Sequence, residues 1–346
     1  MKNRFLILLS FVLIVGRDVV CANTSMVRER ININRDWRYQ IDDPDGVGAA
    51  LHYSRLKPYL LPCANDFIIF GKRYQRPEGN PGENIAYVKS DFDDSEWRHL
   101  NLPHDWAIEG PFNIDYNGST GKLPYWGIRW YRKTLELSQD DAGKQIYLDI
   151  DGAMSYVSVW CNGQYVGGWP YGYASFRLDL TPYIKAGQKN VLAIRLDNPD
   201  DTSRWYPGSG IYRNVWLVKT SPVHVEQWGT FVRNQQVDSE IAVMEMGVNI
   251  ENHAGKDVQV KLQTSVYLQG KDGRPVGEEV TQSMTKDIAI KKDSWSSARF
   301  QFKVDKPKLW DIDTPNCYVA VSRVFMDGKE MDSYETPFGI RTIEFT

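Results

Sequence analysis

Apolar and polar residues alternate with a period of two through the middle of the chain. Ile146, Leu148 and Ile150 alternate with Gln145, Tyr147 and Asp149. Val157, Val159 and Cys161 alternate with Tyr156, Ser158 and Trp160, and Leu192, Ile194 and Leu196 repeat the pattern. Successive side chains of a strand point to opposite faces, so this spacing predicts β-strands. Asn162-Gly163 lies between alternating runs. Both residues tolerate positive φ, which makes Asn-Gly here a strong hairpin signal, with Gln164 to Trp169 as the return strand. Further along, Ala242, Met244, Met246, Val248 and Ile250 share one face. So do Val258, Val260, Leu262 and Val266, then Phe300, Phe302 and Val304, then Val319, Val321 and Phe325. Helix signals are almost absent. Residues 44 to 90 are rich in Gly, Pro and Asn with little periodicity, and are expected to form long loops.

Many short strands punctuated by Gly, Pro and Asn predict an all-β protein built of sandwiches. The length of 346 residues suits about two domains. The expected division is 23–220 and 221–346, because Pro222 in Thr220-Ser-Pro-Val223 interrupts any ladder. Eight of the 12 Trp fall between Trp97 and Trp216, so aromatic chemistry belongs to the first domain. The second has the size of an immunoglobulin-like sandwich without that fold's paired cysteines.

Residues 1–22 have the form of an export signal. Lys2, Asn3 and Arg4 precede an apolar run from Phe5 to Val15 that is too short to span a bilayer. Val20-Cys21-Ala22 offers a cleavage site after Ala22, giving an exported protein with no membrane attachment; lipid attachment at Cys21 and a retained anchor are the rivals. Cys63, Cys161 and Cys317 have no metal-ligand spacing and are expected as apolar-like thiols. No cofactor and no metal site are expected. Formal net charge is −3 with no run of one sign, so no nucleic-acid or anionic-membrane partner is expected.

Several segments carry candidate chemistry. His104 and Asp105 are adjacent in Leu102-Pro-His-Asp-Trp106. Neighbours on a strand point apart, so a loop-pinning role for His104 is expected over a catalytic pair. Tyr125-Trp-Gly-Ile-Arg-Trp-Tyr-Arg132, with Trp169, Tyr171, Tyr173, Trp205 and Tyr206, mixes aromatic faces and Arg in the manner of carbohydrate sites and of sandwich cores alike. Asp197-Asn-Pro-Asp-Asp201, with Ser203 and Arg204 beyond it, reads as a hydroxyl clamp or as a simple acidic turn; calcium is a third option without EF-type spacing. Asn23-Thr-Ser25 and Asn117-Gly-Ser119 match the glycosylation sequon.

In order, Asp94-Ser-Glu-Trp97, Leu102-Pro-His-Asp-Trp106, Gly127-Ile-Arg-Trp-Tyr-Arg-Lys133, Asn162-Gly163, Ser209-Gly-Ile-Tyr-Arg213 with Val215-Trp-Leu217, and Phe338-Gly-Ile-Arg341 resemble the N-terminal part of glycoside hydrolase family 2, especially its β-galactosidases. The resemblance implies a jelly-roll sugar-binding domain, then an immunoglobulin-like domain, in an enzyme that hydrolyses terminal β-galactosides with retention. β-Glucuronidase and β-mannosidase share the architecture and are the runners-up. The family's two catalytic glutamates sit on a (β/α)₈ barrel expected to lie outside these residues. No catalytic residue is therefore assigned here, and the chain alone is expected to be inactive. The family's first domain also reaches the substrate through a loop Asn and an Asp. By position these correspond to Asn113 or Asn117 and to the loop from Asp197 and Asn198 through Ser203 and Arg204. Ser203 stands close to where β-galactosidases place the Asp, a departure from the pattern. A free-standing carbohydrate-binding protein and an assembly role, with homo-oligomer contacts in the full-length enzyme, are the other classes. Phe338 to Thr346 is expected to expose an apolar face.

Overall fold

A computed structural model describes residues 27–67, 72–200 and 203–343. The expected export signal and the sequon at Asn23 lie outside the described residues. The first domain contains β1 (Glu29–Asn32), β2 (Trp37–Ile41), β3 (Arg98–Leu100), β4 (Gly127–Glu136), β5 (Gln145–Ile150), β6 (Val157–Cys161), β7 (Gln164–Trp169), β8 (Phe176–Asp179), β9 (Lys189–Asn198) and β10 (Val215–Thr220). Two antiparallel sheets face each other, ordered β1-β10-β5-β8 and β3-β2-β4-β9-β6-β7. Inward residues such as Leu148, Ile150, Val157, Val159, Ile194 and Leu196 are fully buried between them. This is the jelly-roll sandwich. The β6–β7 turn has φ of 52° at Asn162 and 80° at Gly163, the doubly positive pair that the sequence asked for.

The described residues between 44 and 90 are not simply loops, as their composition led us to expect. They form α1 (Tyr53–Leu60) and short 3₁₀ turns that cover the outer face of the six-stranded sheet. His52 caps α1, and Leu56 and Leu60, four apart on one face, are buried. Periodicity misses α1 because it spans only 8 residues and contains Pro58. The sheet face beneath is aromatic and charged. Trp130 and Trp160 stack with centroids 5.4 Å apart. Asp43 accepts from Trp130 Nε1 at 2.8 Å and from two nitrogens of Arg195, each at 2.8 Å. Buried Cys161 has its thiol pushed up to about 12 by desolvation.

The second domain contains β11 (Val223–Val237), β12 (Ile241–Asn252), β13 (Val258–Gln269), β14 (Pro275–Val276), β15 (Met284–Ile290), β16 (Ser294–Asp305), β17 (Tyr318–Met326) and β18 (Lys329–Phe338). One sheet runs β11-β12-β16; the other runs β14-β13-β17-β18, with β15 also on β13. Ala242, Met244, Met246, Val248 and Ile250 lie in the core between them. The face of β17 is the reverse of the expected one. Tyr318, Ala320 and Val324 join the core, while Val319 and Val321 are buried on the other side. Gln263, Ser265 and Tyr267, on strand β13 beside them, hydrogen-bond to Ser283 and Glu279 of the next segment. Both faces are thus covered, and alternation alone cannot choose between them. Of the terminal segment expected to expose an apolar face, Phe338 packs against the core and Ile340 lies in it, Ile340 O accepting from Trp310 N at 2.8 Å, whereas Ile343 is 65% exposed and residues 344–346 lie outside the described residues.

The domains join through buried charge. Arg28, just before β1, donates to both Asp332 oxygens at 2.9 and 2.8 Å and to Val225 O at 2.6 Å. Val225 N donates to the same carboxylate at 2.7 Å.

Candidate functional site

The last rung of the β4–β9 ladder pairs Gly127 with Asn198. The segment before β4 and the segment after β9 therefore leave the sandwich side by side. Three loops meet there, held by one amide. Asn198 is buried; its Nδ2 donates to Tyr125 O at 2.8 Å and to Gly208 O at 3.1 Å, and its Oδ1 accepts from Ser155 Oγ at 3.3 Å. Ser209 Oγ donates to Tyr125 O at 2.8 Å, and Tyr125 Oη to Asp200 at 2.8 Å. A fourth segment joins through backbone bonds from His104 N to Ile211 O and from Trp106 N to Ser209 O.

His104 points inward. Its Nδ1 lies 2.8 Å from Tyr131 Oη and its Nε2 3.3 Å from Glu109. Burial lowers its pKa and Glu109 opposes that shift. Asp105 turns the other way and accepts from Tyr206 Oη at 2.6 Å and from Ala107 N at 3.1 Å. Burial raises the Asp105 pKa, against the lowering effect of Tyr206. Gly210, at φ +102°, passes so close that a Cβ would meet His104 O at 2.5 Å and Tyr131 Oη at 2.7 Å.

The candidate residues divide. Asn198 is at the centre but spends its amide on loop carbonyls. Asp197 is one position away on β9 and therefore faces the α1 side, where Arg195 Nη1 reaches it at 3.3 Å. Ser203 is half-buried and its Oγ donates to Trp205 O at 2.8 Å; Arg204 is exposed. Asn113 and Asn117 sit in the loop before β4. Asn113 Oδ1 accepts from Asp115 N at 3.0 Å, and Asn117 Oδ1 caps a 3₁₀ turn by accepting from Ser119 N at 2.9 Å. That loop is closed by Lys122 Nζ on Tyr116 O at 2.9 Å and docks through Tyr116 against Trp126.

What the site presents to solvent is aromatic. Tyr171 is 60% exposed and Trp205 59%. Trp205 Nε1 donates to Tyr173 Oη at 3.0 Å, which donates onward to Pro207 O at 3.0 Å, so the Trp205 ring is fixed while its face stays open. Composition pointed to these rings but not to this pairing. Asp105–Tyr206 also escaped the sequence reading, because only the fold brings residues 101 positions apart together. Held rings beside loop carbonyls and amides suit the apolar C–H faces and hydroxyls of a sugar.

Residues 87–221 match the sugar binding domain of glycosyl hydrolases family 2, and residues 223–341 match the family's following domain, described as glycosyl hydrolases family 2. The chain belongs to glycoside hydrolase family 2. It is 40% identical over 327 residues to the β-galactosidase BoGH2A of Bacteroides ovatus, covering 93% of this chain and 33% of that protein. It is 34% identical over 288 residues to a putative β-glucuronidase of Formosa agariphila, covering 80% of this chain and 26% of that protein. A solved family 2 member from Bacteroides cellulosilyticus superposes with a TM-score of 0.74 at 27% identity, covering 91% of this chain and 36% of that one. The chain thus spans about a third of the length of these family 2 relatives. It corresponds to their N-terminal sugar-binding and immunoglobulin-like domains.

Proposed function

We propose that this chain is the substrate-walling and structural portion of a family 2 β-galactosidase, acting on terminal β-galactosides with retention. The likeness that carries the reading is that to BoGH2A, which extends over 93% of this chain. Retaining hydrolysis needs two carboxyl groups about 5–5.5 Å apart, one acid/base and one nucleophile. The described residues form two β-sandwiches, and this reading gives none of their carboxylates that work. The chain's part is positioning. The Trp205 and Tyr171 rings offer stacking faces, Asn198 fixes the loops that carry them, and Asp105 holds Tyr206. The same reading includes export, resting on the apolar run from Phe5 to Val15. Amino-terminal sequencing of the exported protein tests it, with Asn23 as the expected first residue.

Glucuronide is the second reading, favoured by the Formosa relative and by exposed Arg204, which suits a sugar carboxylate. A chimera decides between the two. This chain replaces the matching third of BoGH2A, and nitrophenol release is followed from aryl β-galactoside and aryl β-glucuronide. Retained galactosidase activity supports the proposal, and a switch to glucuronide refutes it. The purified chain alone is expected to hydrolyse neither. Release by the chain alone, lost on changing one of its own acidic residues, overturns the reading.

A further inference from the structure

We propose that His224, Glu251 and His253 form a binding site for a divalent transition-metal ion of the zinc class, at the junction of the two domains. No metal site was expected from the sequence, because the ligands are split between strands. The register assembles them. His224 on β11 pairs directly with Glu251 on β12. His253 lies two residues beyond Glu251, on the same face, and its N–H donates to Pro222 O at 2.8 Å to close the ladder. Glu251 Oε2 sits 3.3 Å from His224 Nε2 and 3.4 Å from His253 Nε2. All three ligand atoms lie within 4.8 Å of one another.

The two His–Glu separations suit a metal, and closing the third pair, within 4.8 Å, takes a small turn of the His253 ring. Tetrahedral zinc with bonds of ~2.0–2.1 Å holds its ligand atoms roughly 3.3–3.4 Å apart. Two imidazoles and a carboxylate are a common zinc donor set, and they favour late first-row metals over magnesium or calcium. His253 is 41% exposed, on the turn after β12, so it gives an ion access and has room to adjust. His224 is fully buried, and Tyr147 Oη from the first domain stands 3.4 Å from its Nε2. Burial keeps that phenol protonated, so the fourth position of an ion would open to solvent on the His253 side. His224 Nδ1 is buried without a hydrogen-bond partner, so a ring bound through Nε2 carries an unshared N–H there, which limits the affinity. On binding, an ion displaces any proton that either Nε2 shares with Glu251; that proton goes to solvent, and no electron moves. Asp179 and Asp293 add negative field at His253, and Arg28 opposes it at His224.

The test is calorimetric titration of zinc chloride into the full chain after treatment with chelator. One equivalent is expected to bind, and cobalt(II) in its place is expected to give the strong visible bands of a four-coordinate ion. His253→Ala, a change at the surface, and Glu251→Gln, which keeps the shape, are each expected to weaken binding at least tenfold. His99→Ala, at an exposed histidine elsewhere, is expected to leave it unchanged. Zinc is also expected to raise the thermal midpoint of the parent chain but not of His253→Ala. Absence of saturable uptake, or uptake equal in the parent, His253→Ala and Glu251→Gln, overturns the proposal.

Discussion

Asp332→Ala tests whether the two sandwiches are locked by one buried ion pair. The Asp332 side chain is 0% exposed and that of Arg28 13%. The carboxylate accepts from Arg28 Nε and Nη2 at 2.9 and 2.8 Å and from Val225 N at 2.7 Å. Removing it leaves a buried guanidinium without its counter-charge and a buried N–H without an acceptor. Breaking one side of such a pair costs roughly 3–5 kcal/mol, mostly the penalty of the stranded charge. With a urea slope of about 2 kcal/mol/M, the midpoint falls by about 2 M. Arg28 belongs to the first domain and Asp332 to the second, so the loss should also separate their unfolding. Nine of the 12 Trp lie before residue 221, so fluorescence reports mainly the first domain while far-UV circular dichroism reports both. The two probes are expected to coincide in the parent and diverge in the variant. Arg28→Met with Asp332→Leu is expected to cost less than either single change, because no charge is then stranded. A loss below about 1 kcal/mol for Asp332→Ala, or a double variant equal to the sum of the singles, refutes the reasoning.

Three other outcomes follow from the structure. Gly210→Ala forces a Cβ to within 2.5 Å of His104 O at φ +102°, so a loss of about 2 kcal/mol or more in thermal stability is expected; a neutral result refutes the close approach. Trp205→Ala removes an exposed ring, so stability should stay within about 0.5 kcal/mol while KM of the chimera for aryl galactoside rises; an unchanged KM removes Trp205 from the sugar wall. Glu251→Gln tests the charge pair in chelator. Hydrogen bonds from the two histidines hold the Glu251 pKa well below the usual range against desolvation, and the Glu251 hydrogen bond raises that of His253. The depressed carboxylate stabilises above about pH 4.5, and that stability is lost as pH falls toward its folded value. The raised imidazole stabilises below about pH 6.5, and that stability is lost as pH climbs through its folded value. The stability gap between parent and variant, read from urea midpoints, should therefore peak between about pH 4.5 and 6.5 and shrink on both sides; a flat profile refutes it.

The strands were legible because their signal is local. Ala242 to Ile250 alternate under one covering sheet, and Asn162-Gly163 states its own turn. Legibility failed where burial was decided elsewhere in the chain. Val319 and Val321 look like core residues and are buried, but behind the sheet and not inside the sandwich. Leu56 and Leu60 give only one apolar step of a helix, too little to stand out amid Gly and Pro.

The site was harder still, because a strand end assigns neighbouring residues to opposite surfaces. Asp197 and Asn198 look like one polar clamp in sequence, yet Asp197 meets Arg195 beside α1 while Asn198 meets Tyr125 and Gly208 at the loops. His104 and Asp105 also turn opposite ways, as expected, although they lie in the irregular segment after β3 and not on a strand. Composition marks a region as rich in hydroxyl-binding groups but cannot tell a group that is free to meet a ligand from one already engaged. Asn198 has the right chemistry for a sugar and is fully occupied; Trp205 has its one polar atom engaged and its ring face open. That distinction argues for stacking by held aromatics as the first domain's contribution, with the amides and carboxylates holding the rings in place.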